Sequence, residues 1–357
     1  MYNQLTMFLS LKRQPSSEIM VDSLRRLPEQ IKSVMDDFGS AQGSFALHGV
    51  RSIVINGMGG SNLGAYIIQS AFRDSLKMPV AIEPGYDVPG YVGKDTLYIV
   101  SSYSGTTEEP LAAYKIAKRR GARIIVISSD ADNELCRLAS RDNLPHYLFD
   151  TSANPSGQPR LGLGYGVASL LFLFRALGLL RFKDKDISLI LSQLKRKNAL
   201  LSKSGNEAER LAKTLQGRET IIIGGLLFEG NMRALRNQWC ETGKNFASYL
   251  VLSDLNHYAL EGLSYPTSNR KRLAALFIES DLYDSKIQKR LELTKEVMKK
   301  QGIAVHSYAP AGKTVLAQCF DLLQVGSWIT YHLSLLNRVD PLTVPWVDWF
   351  KKRLSAK

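Results

Sequence analysis

Two short stretches of this 357-residue chain gather groups that hold negative oxygens, and four separate residues are of kinds that move protons. The first stretch, GMGGSN at 57–62, follows the apolar run SIVIN and precedes a segment with helical spacing. A strand, a glycine turn and a helix in that order aim backbone amides and the positive end of the helix dipole at an anion. The second, SSYSGTTEEP at 101–110, follows another apolar run and supplies Ser102, Ser104, Thr106 and Thr107 within six residues. Amides plus several hydroxyls suit a dianionic terminal phosphate, which has many acceptor oxygens. Capping the next helix, whose first turn carries Glu108 and Glu109, calls for one hydroxyl rather than four.

A dinucleotide fold is the competing reading of the first loop. It wants GxGxxG after the first strand and an acid at the end of the second. Gly57 and Gly59 match, Asn62 replaces the third glycine, and Glu83 stands where the acid would be. The hydroxyl-rich second loop favours a monoester, because a diphosphate bridge has no need of it.

Moving a carbonyl between neighbouring carbons of a sugar phosphate takes a base, groups that open the ring, and a donor beside the enediolate oxygens. Carboxylate, histidine, lysine and arginine are the expected parts. In NMRALRNQWCETGKNFA at 231–247, Arg233, Asn237 and Glu241 recur at four-residue intervals on one helix face. The same spacing lets Glu241 simply pair with Asn237 or Lys244. Gly243 costs that helix about 1 kcal/mol relative to alanine, which predicts a break or kink beside Glu241. His257 lies in SDLNHYALEGL, where a loop should begin. Arg160 lies in the glycine-rich turn SGQPRLGLGYG, where it could equally cap a helix. Lys351 lies in WVDWFKKRL, which also reads as a solvated or dimer-packing helix. The five histidines never form a close pair near carboxylates or cysteines, so no metal and no cofactor is expected.

The elements that must position these residues alternate along the chain. Strand candidates are SIVIN at 52–56, MPVAIEP at 78–84, DTLYIVSS at 95–102, ARIIVISS at 122–129 and HYLFD at 146–150. The segments between them carry apolar residues at three- and four-residue spacing, which predicts a parallel sheet covered by helices. YGVASLLFLFRALGLLRF at 165–182, interrupted by Arg175 and Arg181, falls short of a membrane span and reads as a buried helix. After a Lys-rich stretch the rhythm resumes with TIIIGG at 220–225, SYLVLS at 248–253, RLAALFIES at 272–280 and GIAVHSYA at 302–309. A chain of this length, 45% hydrophobic, has room for two such units.

The formal charge of +13 raises the question of nucleic acid. The basic residues are scattered, however, and KRRGAR, KDKDISLILSQLKRK and NRKRL lack interleaved aromatics or a recognition motif. Solvated helix faces and anionic small substrates account for them. Neither nucleic acid nor membrane is an expected partner. Three distant cysteines and the lack of a secretory signal pattern place the expected location in the cytoplasm.

At its two loops the chain resembles the sugar isomerase (SIS) domain family. From about residue 45 onward it resembles the bifunctional phosphoglucose/phosphomannose isomerase branch, on GMGGSN, SYSGTTEE, QPRLGLGY, CETGK, the LNH of SDLNHYALEG, and DPLTVPWVDWFKKRL. The resemblance implies an α/β fold of two SIS-type subdomains, each a five-stranded parallel sheet flanked by helices. It divides the chain into an N-terminal helical segment at 1–45, SIS domains at 46–183 and 184–340, and a C-terminal segment at 341–357. It places Gly60, Ser61, Ser102, Ser104 and Thr107 on the phosphate of a hexose 6-phosphate. Glu241 becomes the proton-shuttling base, His257 and Lys351 assist ring opening, and Arg160 stabilises the enediolate. In the family the histidine comes from the neighbouring subunit, which implies a homodimer. The implied reaction interconverts glucose 6-phosphate, and mannose 6-phosphate as well, with fructose 6-phosphate. A family threonine that leaves room for either C2 epimer lies near Thr343.

The chain departs from the family at two places. Thr242-Gly243 replaces Asn-Ser or Asn-Ala before Lys244, and Tyr258-Ala259-Leu260 replaces Asn-Glu-Ile after the LNH. These departures leave room for a sugar-phosphate-binding protein without efficient chemistry.

Overall fold

The computed structural model describes residues 15–354. Helices α1 (Pro15–Arg25) and α2 (Leu27–Asp37) come first, within the expected segment 1–45, of which residues 41–45 are not helical and residues 1–14 lie outside the described residues. Five strands then form one parallel sheet: β1 (Ser52–Asn56), β2 (Val80–Glu83), β3 (Thr96–Ser102), β4 (Arg123–Ser129) and β5 (His146–Phe149). Their order is β2-β1-β3-β4-β5. Helices α3 (Gly60–Ala71), α4 (Glu108–Arg119), α5 (Glu134–Arg141) and α6 (Leu163–Ala176) cover it.

Alternation along the strands decides which face each side chain joins. Val54, Tyr98, Val100 and Val126 pack with Leu111, Tyr114, Leu135 and Leu138 of α4 and α5. Ile53, Ile55, Ile99, Ile125 and Ile127 face α2, α3 and α6 in a larger core that continues into the second half of the chain. The apolar run read as a buried helix is α6, and Arg175 at its end lies over the Phe172 and Phe182 rings at 4.5 and 4.8 Å.

The second sheet differs from the resemblance-based expectation. It has four parallel strands rather than five, β6 (Glu219–Gly225), β7 (Ala247–Leu252), β8 (Leu273–Ile278) and β9 (Ala304–Tyr308), in the order β7-β6-β8-β9. The chain leaving β9 passes through a short polar turn with Pro310 and Gly312 and enters a long helix, so no further apolar β-branched run exists to extend the edge. The longer helices of this half are α7 (Asp184–Leu201), α8 (Glu207–Leu215), α9 (Glu229–Glu241), α10 (Ser285–Lys300), α11 (Val315–Leu336) and α12 (Pro345–Leu354), with single turns at Ala259–Gly262 and Asn269–Arg272. α11 is buried on every side from Leu316 to Leu335. α12 buries none of its residues.

Helix α3 is held by backbone contact on two sides. A Cβ on Gly64 would lie 2.7 Å from the Gly166 carbonyl carbon of α6, and a Cβ on Gly230 would lie 2.2 Å from the Tyr66 carbonyl. Gly230 also donates its N–H to Ser70 Oγ at 3.1 Å. α9 therefore crosses α3 at a distance that only glycine permits. Gly230→Ala should lower stability by at least about 2 kcal/mol through overpacking against main chain, read as a reduced midpoint in urea; an unchanged midpoint would show that the helices can part.

Candidate active site

Strand order places a crevice between β1 and β3. Connections from these neighbours run in opposite directions, which opens a cleft at the strands' carboxyl ends. Both loops singled out in the sequence leave the sheet there. After β1, Gly59 adopts φ +52° and α3 begins at Gly60. After β3, Gly105 adopts φ +63°, with no room for a Cβ beside the Asn133 side chain. Ser61 Oγ accepts the Tyr103 N–H at 2.8 Å, and Ser101 Oγ donates to Ser61 O at 3.0 Å, so the two loops are bonded to each other. Ser102 Oγ accepts the Gly105 N–H at 3.1 Å. Ser104 Oγ lies 3.2 Å from Thr107 Oγ1 and 3.3 Å from Thr106 Oγ1, a cluster of hydroxyls at the mouth of the cleft. Thr107 occupies the N-cap of α4 without a side-chain capping bond, leaving its hydroxyl to the cluster.

The third glycine of a dinucleotide loop is replaced by a buried residue with its own task. Asn62 Nδ2 donates to Gly57 O at 2.7 Å and ties the turn to the first turn of α3. At the corresponding end of the second sheet the chemistry is unlike the first. A 730 Å³ cavity there is lined by Glu279, Asp281 and Glu292, among others. The Tyr283 hydroxyl already accepts the Gly225 N–H at 2.9 Å, and the Asp284 carboxylate caps α10. Three carboxylates against one lysine, Lys289, in that lining, and amides at Gly225, Lys286 and Ile287 that are already bonded, disfavour a phosphate at that position.

Arg160 joins the cleft between the two loops to Glu241. Its turn abuts the N-terminus of α3, where a Cβ on Gly60 would lie 3.0 Å from the Pro159 carbonyl carbon and 3.2 Å from Arg160 N. The guanidinium is buried. Nε donates to Thr242 Oγ1 at 3.3 Å, Nη1 to Gln158 Oε1 at 2.8 Å, and Nη2 to the Pro341 and Leu342 carbonyls at 3.0 and 2.7 Å. Nη1 lies 3.8 Å from Glu241 Oε2. Burial pulls the guanidinium below its usual pKa, against the opposing effect of Glu241 and Asp340.

Glu241 is the last residue of α9, and the break predicted from Gly243 is present. A Cβ on Gly243 would lie 2.9 Å from Trp239 O, and its carbonyl accepts from Asn337 Nδ2 at 2.9 Å. Lys244 then adopts φ +49° and donates Nζ to Glu241 O. Burial raises the Glu241 carboxyl above its ordinary value, opposed by Arg160, Lys244 and Lys351 in that order. Burial, assisted by Arg160, also pulls the Lys244 ammonium down to about 8. Glu241 and Lys244 line a cavity of about 690 Å³ together with Asp340, Thr343 and Trp346.

The sequence-derived set is only partly assembled within one chain. Arg160, Glu241 and the two loops are linked through the contacts above, and Lys351 on α12 is close enough to act electrostatically on Glu241. His257, itself exposed, ends a 3₁₀ turn, Asp254–His257, after β7. Among the described residues no hydrogen bond or ion pair links it to Glu241 or Arg160. Lys244, Thr242 and Asp340 were not picked out as site residues from sequence; a lysine behind a helix-breaking glycine was the available signal.

Residues 46–159 match the family described as "SIS domain", and residues 204–354 match "Bacterial phospho-glucose isomerase C-terminal SIS domain". A bifunctional phosphoglucose/phosphomannose isomerase of Caldicellulosiruptor bescii is 33% identical over 94% of this chain and 99% of its own length. The chain belongs to the bifunctional phosphoglucose/phosphomannose isomerase family. A second relative of that name, from Thermoplasma acidophilum, is 29% identical over 92% of the chain and 97% of its own length. In fold, this family member resembles tagatose-6-phosphate ketose/aldose isomerase of Escherichia coli, with a TM-score of 0.70, 15% identity, and coverage of 93% and 95% of the two chains.

Arg160→Lys keeps the charge and loses the planar fork that reaches four acceptors. It should cost about 1.5–3 kcal/mol, the range for hydrogen bonds to charged groups, read by urea denaturation; equal stability would mean that a point charge suffices.

Proposed function

We propose that this chain is an aldose–ketose isomerase that interconverts glucose 6-phosphate, and also mannose 6-phosphate, with fructose 6-phosphate through a cis-enediol. The observation that carries this reading is the link from the phosphate cleft through Arg160 to a carboxylate raised by burial. Gly60, Ser61, Ser102, Ser104 and Thr107 hold the phosphate and present the sugar's first two carbons to Glu241. Glu241 takes the proton from C2 and returns it to C1, or the reverse. Arg160 faces the enediolate, and Lys351 with His257 exchanges protons with the ring oxygen and O1.

The first of the two departures from the family pattern, Thr242-Gly243, is built into the site, which speaks for turnover over binding alone. Thr242 is fully buried and accepts from Arg160, and Gly243 fits where a Cβ would crowd Trp239 O. We further propose the division into 1–45, 46–183, 184–340 and 341–357, with the last segment bringing Lys351 to the cleft. The exposure of His257 supports a homodimer in which each subunit supplies this residue to its partner's site.

Glu241→Gln should lower kcat at least about a thousandfold, given a base contribution of 10²–10⁴, with fructose 6-phosphate still bound in calorimetry. Equal turnover in the two proteins removes Glu241 from the mechanism. A base works deprotonated, so kcat/KM should fall as pH drops through the Glu241 pKa. Because that pKa is raised, the fall should lie above the ordinary value of 4.5. For the dimer, mixing inactive Glu241→Gln with inactive His257→Asn should restore roughly a quarter of wild-type activity through randomly assembled mixed dimers. No restoration would place the histidine in its own subunit's site.

A further inference from the structure

We propose that Lys244 is a catalytic residue of this site, its ammonium donating a hydrogen bond to the enediolate oxygen while Glu241 holds the migrating proton; this rests on the reading of Glu241 as the base. The argument begins with donors. A guanidinium has five N–H groups, and Arg160 directs four of them at Thr242, Gln158, Pro341 and Leu342. The one that remains belongs to Nη1, which already faces the Glu241 carboxylate at 3.8 Å. Arg160 is therefore bound chiefly to protein, anchoring the 341–342 segment against the end of α9, and brings at most one donor to the enediolate it faces, so a second donor is needed there. An ammonium has three donors, and Lys244 uses one, on Glu241 O. Two are left on a side chain that lines the same cavity as Glu241.

The backbone points the same way. A lysine at φ +49° is unfavourable relative to glycine or asparagine, and such strain persists where surrounding structure holds it. Here Asn337 fixes the Gly243 carbonyl, and the Asn245 N–H bonds Trp239 O at 3.1 Å. The turn folds the lysine back over the last carbonyl of its own helix, beside the carboxylate three residues earlier. The charged groups around the ammonium are Arg160, Asp340 and Glu241. Its pKa, lowered to about 8, makes it a better matched donor to a developing oxyanion than an ordinary lysine.

The chemical step conserves its atoms and electrons. Glu241 takes the C2 proton of the open-chain aldose, the C–H electrons form the C1–C2 double bond, and the carbonyl pair moves onto O1. Lys244 donates to that oxygen without transferring its proton. The O2 hydroxyl proton then passes to O1, the O2 carbonyl forms, and Glu241 returns its proton to C1.

The test compares wild type, Lys244→Asn, Lys244→Arg and Glu241→Gln in steady-state turnover of fructose 6-phosphate across pH 5 to 10. Asparagine tolerates the left-handed backbone, so Lys244→Asn should keep its thermal midpoint within a few degrees. Its kcat should fall about a hundredfold, as on loss of an oxyanion donor, with KM within about threefold. Wild-type activity should decline as pH rises through about 8, where the ammonium loses its proton. Lys244→Arg should keep at least about a tenth of the activity and move that decline upward. Loss of a cation opposing Glu241 protonation should also raise the acid limb of Lys244→Asn. A kcat for Lys244→Asn within threefold of wild type, or a loss confined to KM, overturns the proposal. Equal turnover of wild type and Glu241→Gln would instead overturn the base on which it rests.

Discussion

The arrangement depends on how closely two helices approach α3. Gly64 against Gly166 and Gly230 against Tyr66 leave no space for side chains, so α3 is clamped between α6 of the first half and α9 of the second. The N-terminus of α3 is one wall of the cleft between the two loops, and the C-terminus of α9 carries Glu241. Main-chain packing at the middle of α3 thus sets the separation between that cleft and the carboxylate. Close-packed backbone transmits position better than longer side chains, which can change rotamer.

A second constraint is electrostatic. Arg160 is buried with Glu241 beside it, and its remaining donors meet a hydroxyl, an amide oxygen and two main-chain carbonyls. A buried cation persists when its donors are satisfied. Satisfying this one draws together the 158–160 turn, the end of α9 and the segment leading to α12. Glu241 sits at the edge of that group, buried enough to have its carboxyl raised and charged enough around it to limit the rise. Such a balance suits a group that must both take and give a proton.

Much of the first sheet was legible because each strand is a short β-branched run bounded by turn residues and followed by a helical pattern. The two loops were legible for the same reason: glycine and hydroxyl residues cluster where strands end. α11 was not legible. Buried from Leu316 to Leu335, it has no polar face to give the amphipathic period its contrast. The fifth strand implied for the second sheet failed where the chain enters that helix. Lys244 was read only as an ion-pair partner of Glu241, because a lysine three residues from a glutamate ordinarily means a surface ion pair, and its left-handed backbone shows only in three dimensions.

The sequence by itself determined the alternation of strands and helices, the hydroxyl-lined loops at the strand ends and the helix break at Gly243, because these follow from local propensity and periodicity. It also carried the family, through motifs spread over most of the chain. Which groups meet was decided only by tertiary structure. Arg160 and Glu241 are 81 positions apart in the chain, and Arg160 and Leu342 182 apart. Their contacts exist because α3 is gripped from both sides, a condition set by packing between distant segments that no local pattern records.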